Sequence, residues 1–557
     1  MPGGLLNLVS YGNLNVIVNG NPSKTFFKTT YAKYTNFGLQ KFRIDFDGLR
    51  TLRLTEDSHF RFKVPRYADL FMDTYFVITL PTIWSPILNA SLPNAQAYNF
   101  QWIENIGSQL IRKVRFTIGS QLIYEFTGQY LYNMVQRDFS EGKKKLFNEM
   151  TGNVPELNDP ANYMDRGGIY PNAYLDPSWN QSTQNIGPQP SIPSKTLYIP
   201  LNTWFSLDSK CPLPLISLQY NQIEISVTMR PIQELFQIRD VFDQTYNFPY
   251  VKPDLNENRF QIYRFLQSPP NVFLDSENYG NKISTWNADI HLMSTYCFLS
   301  KQEQQKFALE DQIYLIKEVH EHKYENVTGT RKLKVPTNGM VSNWMWFMRR
   351  NDVHLRNEWS NYTNWPYYTQ PGDIELAPRD IESITIAGDV PNNYGPGVDW
   401  VDGRNTGFYV TGNFKSVNRR EIMDTFGILM NGDYRENMQN RGVFDYVEKY
   451  VRTGGYAQEG LYCYNFCLNT NPYDYQPSGA FNMSNIKTIE IELTTHVPDI
   501  DLVNSRYDVI CDLEGNAIGT RKSSYQLYDY NYNLTLFEER YNVLSFMGGN
   551  CGLMYAR

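Results

Sequence analysis

Side chains able to do chemistry are few in this chain, and their spacing argues against most reactions. His320-Glu321-His322 puts two imidazoles on one face of an extended strand, the beginning of a metal edge. No third ligand follows at zinc spacing. Glu490 and Glu492 share a strand face, as the two carboxylates of a glycoside hydrolase would. They alternate with Ile489, Ile491 and Leu493, so a solvent or interface face is the plainer reading. The same holds for Asp499 and Asp501. There is no P-loop glycine run, no His-Glu-x-x-His and no nucleophile elbow. The six cysteines form no CxxC pair; Cys463 and Cys467 lie on one strand face, too far apart for an easy disulfide. Free buried thiols are expected, with no cofactor, no metal and no catalysis. Sequons occur at Asn89, Asn180, Asn326, Asn361, Asn482 and Asn533, mostly accidents of an Asn- and Ser/Thr-rich composition. Asn180 and Asn361 lie in long loops and are the ones placed to carry sugar.

The elements around these residues read as strands. Leu461 to Leu468 alternates, passes through the turn Gln476-Pro477-Ser478-Gly479, and alternation resumes over Ile489-Glu490-Ile491-Glu492-Leu493-Thr494. Period-two alternation between breakers marks half-buried antiparallel strands. Half a chain earlier the grammar repeats, from Leu197-Tyr198-Ile199-Pro200-Leu201 through Cys211-Pro212-Leu213-Pro214 to Ile223-Glu224-Ile225-Ser226-Val227-Thr228. The closing hexads share their first three residues and their last, which predicts a duplicated β-domain.

With 557 residues there is room for two full cores. Aromatics at 15%, with Gly 36 and Pro 30 to supply turns, favour an all-β chain with long loops. The expected architecture is two consecutive eight-stranded jelly-roll sandwiches with long insertions and a few short helices. Residues 1–25 read as an apolar arm through Leu5, Leu6, Leu8 and Val9, expected to tuck under the first domain or reach a neighbouring subunit. The first jelly roll is expected over 26–231, a linker packed between domains over 232–275, and the second jelly roll over 276–557. Short helices are expected over Thr127 to Phe139, with Leu131, Met134 and Val135 on one face, and over Ser300 to Leu309. From Ser140 to Ser194 the pattern dissolves into loop, and Lys143-Lys144-Lys145 reads as a solvated segment. Trp344 and Trp346 point the same way from one strand, as core in preference to interface, and a final apolar strand covers Tyr541 to Met547. The net charge of −7 disfavours direct nucleic-acid contact. No apolar run has membrane-spanning length and no signal peptide is evident, so cytosolic synthesis is expected.

Landmarks along the chain point further. Gly3-Gly4-Leu5-Leu6, Tyr11-Gly12, Gly20-Asn21-Pro22 with Thr25-Phe26-Phe27-Lys28, Tyr31 and Thr35-Asn36-Phe37 stand near the start. Leu218-Gln219-Tyr220, Asn361-Tyr362-Thr363, Gln476-Pro477-Ser478-Gly479 with Asn482 and Ser484, and Tyr541-Asn542-Val543-Leu544 with Gly548-Gly549 and Gly552-Leu553 follow. With these the chain resembles the major capsid proteins of the nucleocytoplasmic large DNA viruses, a double jelly-roll family. Val18-Asn19 before Gly20 departs from the Leu-Thr pair of many relatives. The resemblance implies a homotrimeric, pseudo-hexagonal capsomer tiling an icosahedral shell over an internal membrane. Its partners would be itself, neighbouring capsomers, and minor capsid and penton proteins, with virion localisation after assembly in the host cytoplasm. The alternatives are a carbohydrate-binding or carbohydrate-cleaving β-sandwich protein, or a minor capsid relative. A stable trimer without glycan affinity separates the shell protein from the first of these.

Overall fold

A computed structural model describes residues 2–48, 51–86, 98–166, 168–173, 189–241, 248–269, 279–368, 400–401, 404–405, 419–498, 507–511, 515–522 and 529–555. Asn89, Asn180, Asp499 and Asp501 lie outside these residues.

Sixteen strands form two barrels. In the first they are β1 (Phe37–Ile44), β2 (Ser58–Lys63), β3 (Leu70–Leu80), β4 (Ile111–Ile118), β5 (Gln121–Phe126), β6 (Lys195–Pro200), β7 (Ile223–Met229) and β8 (His291–Leu299). In the second they are β9 (Gln312–Tyr324), β10 (Thr330–Lys334), β11 (Met340–Arg350), β12 (Met423–Met430), β13 (Asp433–Asn440), β14 (Leu461–Asn465), β15 (Ile489–Thr495) and β16 (Tyr532–Met547). The first barrel has sheets β1-β8-β3-β6 and β2-β7-β4-β5; the second has β9-β16-β11-β14 and β10-β15-β12-β13. Every pairing is antiparallel. Adding eight to each label of the first barrel gives the second. This strand order, in two facing four-stranded sheets, is the jelly roll, and the all-β double jelly-roll expectation holds.

The duplicated hexads are β7 and β15, which hold the same place in their sheets and show the same alternation of buried and half-buried residues. Ile223, Ile225 and Val227 point into one core, and Ile489, Ile491 and Leu493 into the other. Each such side chain contributes roughly 1.5–3 kcal/mol by leaving water. Glu490 and Glu492 face outward: Glu490 lies 3.3 Å from Lys332, and Glu492 accepts a 2.9 Å hydrogen bond from the Tyr434 hydroxyl. Both thus make side-chain contacts to other strands on the outer surface of the sheet. Even the short strand ahead of each hexad repeats, Leu213–Pro214 pairing with β3 and Phe481–Asn482 with β11. Trp344 and Trp346 are fully buried, and Trp346 stacks on Phe426 at 4.2 Å.

Helices α1 (Gly128–Asp138), α2 (Glu141–Thr151) and α3 (Lys301–Leu309) flank the sheets. Leu131, Met134 and Val135 of α1 are buried in the first core, as their spacing predicts. Gly128 opens α1 against backbone: a Cβ there would stand 1.9 Å from the Ser108 carbonyl oxygen and 2.4 Å from that of Ile111. Gly128→Ala should therefore cost ~3 kcal/mol, at the upper end for overpacking, read as a lower urea midpoint.

Four expectations need correction. β8 lies between β1 and β3 in the first barrel, so a second roll starting at 276 would remove a central strand from the first; we propose a boundary after Leu299. Its partner β1 lies some 250 residues away, and alternation alone names no partner. The segment 232–275 is less a linker than a flank of the first barrel, since Phe236–Arg239 pairs with Phe100–Trp102 and Phe236 and Ile238 are core residues. The stretch after Ser140 contains α2, where Lys144 is buried and donates to Glu141 Oε1 at 2.9 Å and to the Tyr456 carbonyl at 2.5 Å. Finally, the last long strand starts at Tyr532 and not at Tyr541; Glu538, Glu539 and Arg540, all buried within it, break the apolar pattern that would reveal its first half.

Candidate assembly surfaces

Among the described residues no group of three His, Cys, Asp or Glu side chains is placed to hold a metal. His320 meets Glu318 at 3.4 Å instead, while burial pushes the His322 imidazole pKa down. Cys211, Cys297, Cys463 and Cys467 are free and buried, and Cys551 is free and half-buried. A cleft of about 600 Å³ between α2 and residues 456–459 is rimmed by Glu141, Lys145, Arg420 and Glu459. The organised chemistry of the molecule lies elsewhere, in the joint between the barrels.

Helix α1 leaves the first barrel and lies against the outer face of the β9-β16-β11-β14 sheet. Strand alternation sends Leu534 and Leu536 of β16 into the second core and turns Phe537 and Glu539 toward α1. The Tyr130 ring meets Phe537 edge-on at 5.5 Å, and its hydroxyl donates to Glu539 Oε1 at 2.9 Å. Arg137, 1% exposed, donates to Glu539 Oε1 at 2.6 Å, to Asp138 Oδ2 at 2.7 Å and to Asn343 Oδ1 at 2.8 Å. Asn343 donates to the other Glu539 oxygen at 2.9 Å, and the Thr470 hydroxyl donates to Asp138 at 2.6 Å. A buried arginine shared by two carboxylates, with the spare lone pairs filled, is what makes a desolvated ionic joint tolerable.

Burial alone would raise the Glu539 carboxyl pKa. The charges of Arg137 and Lys317 and the hydrogen bonds from Asn343 and Arg137 overcome it and bring it down to about 2. Burial wins at Asp138, whose pKa is pushed up, so of the two carboxyls Glu539 is the one whose protonation costs stability. A carboxyl held below its unfolded value of 4.5 stabilises the fold above that pH and loses this contribution as pH falls toward 2. Lowering pH from 6 to 3 should cost the wild type ~2 kcal/mol more than Glu539→Gln, read from urea midpoints at both pH values.

The segment after β11 completes the joint. Asp352, fully buried, is held between Arg350 at 2.6 Å and Arg356 at 3.1 Å, which drive its pKa far below the carboxylate range against the cost of burial. From this anchor Asn357 donates to the carbonyls of Gln233 and Phe236 at 2.8 and 2.9 Å. Trp359 lies under the Arg230 guanidinium at 4.5 Å, and the Tyr362 hydroxyl donates to Asn133 of α1 at 2.6 Å.

Asn361 sits inside this joint, 2% exposed. Its Nδ2 donates to the Trp365 carbonyl at 3.0 Å, and its Oδ1 accepts from Thr363 N and Oγ1 at 3.0 and 2.7 Å. A buried, fully engaged amide has no room for a glycan, so the sequon is a structural turn. Peptide mass spectrometry should find Asn361 bare, and Asn361→Ala should cost about 1–3 kcal/mol by removing its hydrogen bonds to Thr363 and to the Trp365 carbonyl.

The turn Gln476-Pro477-Ser478-Gly479 folds back on the end of β14: Ser478 Oγ donates to the Asn469 carbonyl at 2.7 Å. Gly479, at φ +135, lets the backbone pass Cys467 closely. The arm does not tuck under the first domain. Leu5, Leu6, Leu8 and Val9 are exposed, Leu8 by 75%, in short helical turns off the body.

Two family models match: the major capsid protein N-terminus over residues 25–266 and the large eukaryotic DNA virus major capsid protein over 303–552. The chain belongs to this family. Major capsid proteins of Phaeocystis pouchetii virus and of Paramecium bursaria Chlorella virus 1 are each 25% identical to it, with both chains covered in full. Among solved structures, PBCV-1 VP54 superposes with a TM-score of 0.58 at 19% identity, over 96% of this chain and 100% of that one. The Faustovirus major capsid protein gives 0.58 at 12% identity, over 96% and 94%. These likenesses establish the double jelly-roll fold. Strand β8 falls between the two matched stretches.

Proposed function

We propose that this capsid protein is a non-catalytic building block, three copies of which form a pseudo-hexagonal capsomer in an icosahedral shell. The observation that carries the reading is the sealed joint: two like barrels held side by side by buried ion pairs act as one rigid body. Three such bodies supply six similar lobes around a threefold axis, a shape suited to near-hexagonal tiling. The apolar arm through Leu5, Leu6, Leu8 and Val9 reaches a neighbouring subunit, because exposed leucines on a terminal segment are stabilised only by docking. Capsomers meet one another and the minor capsid and penton proteins in a virion assembled in the host cytoplasm. An internal membrane lies nearby; no helix among the described residues is long and apolar enough to cross it. Asn180 remains the sequon proposed for sugar.

The test is native mass with a glycan-affinity step. The reading expects a species of three times the 65.0 kDa chain mass that passes unretained over immobilised glycans. A monomer retained on the glycan resin would overturn it.

A further inference from the structure

The two barrels are internal repeats, so each feature of one can be sought in the other. In the first barrel, α1 follows β5 and docks across to the outer face of the second barrel's β9-β16-β11-β14 sheet. In the second, α4 follows β13 in the same way, as Val443–Val447 and Glu448–Arg452. Its inner side closes its own barrel, Phe444 packing on Phe426 at 5.1 Å and on Trp346 at 5.5 Å. Its other side is turned outward: Tyr446, Val447, Tyr450 and Val451 are all exposed, Tyr450 by 91%, with Tyr446 hydrogen-bonded to Arg441 just ahead of the helix. Counted from the glycines Gly128 and Gly442, these four stand at the offsets of Tyr132, Asn133, Gln136 and Arg137. Three of the α1 residues make the joint: Tyr132 donates to Gln458 at 2.7 Å, Asn133 holds Tyr362, and Arg137 bridges Asn343 and Glu539.

The receiving surface is duplicated as well. On the second barrel Met345, Phe347, Cys463 and Phe537 form the outer face, and all are sealed beneath the joint. The corresponding face of the first barrel carries Tyr75, Met293 and Tyr198, with Val77, already buried, between Tyr198 and His291. Tyr75 and Met293 are half-buried and Tyr198 is exposed. Among the described residues there is thus one such joint made, one helix without its sheet and one sheet face without its helix. A donor and an acceptor on different surfaces of one molecule define a head-to-tail interface, which closes into a ring when the rotation permits. Tyrosine, methionine and aliphatic side chains stand on both surfaces, as in an interface core, and Arg43, beside Met293 on the acceptor face, is already paired with Asp45 and Asp289.

We infer that α4 docks on the outer face of the β1-β8-β3-β6 sheet of a second copy, repeating between chains the joint that α1 makes within one. The inference rests on the trimer proposed above and names its contact. The intramolecular joint is ionic at Arg137, whereas the intermolecular one is apolar at Tyr446, Val447, Tyr450 and Val451. Separately folded chains can therefore meet without stranding a buried charge before contact.

The experiment places the photo-crosslinking residue p-benzoylphenylalanine at Tyr450 in the full chain and maps the adducts. The expected product joins two chains, from position 450 of one to peptides holding Tyr75, Tyr198 or Met293 of the other. Adducts only within one chain, only to arm residues 2–34, or none at all would overturn it. In parallel, the double variant Tyr446→Asp/Tyr450→Asp should weaken trimer association about 100-fold, as charges at an interface centre do, with the monomer's melting unchanged. A double variant that keeps the wild-type association constant overturns the docking inference and leaves the trimer standing. A wild-type chain that never forms trimers defeats the trimer reading itself.

Discussion

Arg137→Met should destabilise the protein by about 3–5 kcal/mol and uncouple the two barrels. The guanidinium is the only positive charge within hydrogen-bonding distance of both Asp138 and Glu539 among the described residues, and it is 1% exposed. Without it two carboxylates stay buried beside each other, and the tyrosine and asparagine donors around them cannot balance the charge. Urea unfolding should change from one transition to two, the first being separation of α1 from β16. Replacing Arg137, Asp138 and Glu539 together with apolar residues of similar size should recover most of the loss. What the single variant suffers is stranded charge, and the triple variant strands none.

Trp346→Ala should cost about 3–5 kcal/mol, confined to the second barrel. The indole is fully buried, stacked on Phe426 at 4.2 Å and on Tyr462 at 5.8 Å, with Phe444 tilted against it at 5.5 Å. Its removal opens a cavity at the centre of the sandwich, where two rigid sheets leave little freedom to collapse. Hydrogen exchange should show protection lost across β11, β12 and β14 while β3, β4 and β7 keep theirs. Equal loss in both barrels would mean the cores are not separate. Because Phe444 also anchors α4, this variant should loosen that helix as well.

The parts of the fold legible in sequence were those written in short-range alternation. β6 with β7 and β14 with β15 announce themselves through the repeated strand–turn–strand pattern, and Trp344 with Trp346 through their shared direction on one strand. The helix α1 was legible through Leu131, Met134 and Val135. What escaped depends on partners distant along the chain. β8 is written like any strand, and nothing in its residues says that it inserts between β1 and β3 after an excursion of some sixty residues from β7. The joint escaped for a different reason. Glu538, Glu539 and Arg540 break the apolar run of β16, and charged residues in a strand read as surface until their counter-charges are seen. Lys144 and Asn361 misled in the same way, because a lysine run and a loop sequon are exposed in most settings. The arm is a separate case. Its leucines fit docking on the first domain or on a neighbouring subunit, and the described body leaves them exposed.

These outcomes share one physical theme. Polar side chains inside this molecule are concentrated where one barrel meets the other, and exposed apolar ones where a barrel or arm meets nothing. In the capsomer proposed above, the first pattern makes the chain a rigid pair and the second marks where pairs join. A density map of the purified assembly at strand resolution tests this most directly. Six barrels are expected around a threefold axis, alternating first and second, with α1 closing each joint within a chain and a like helix closing each joint between chains. A map of isolated chains, or of a complex whose barrels do not alternate around a threefold axis, would contradict it.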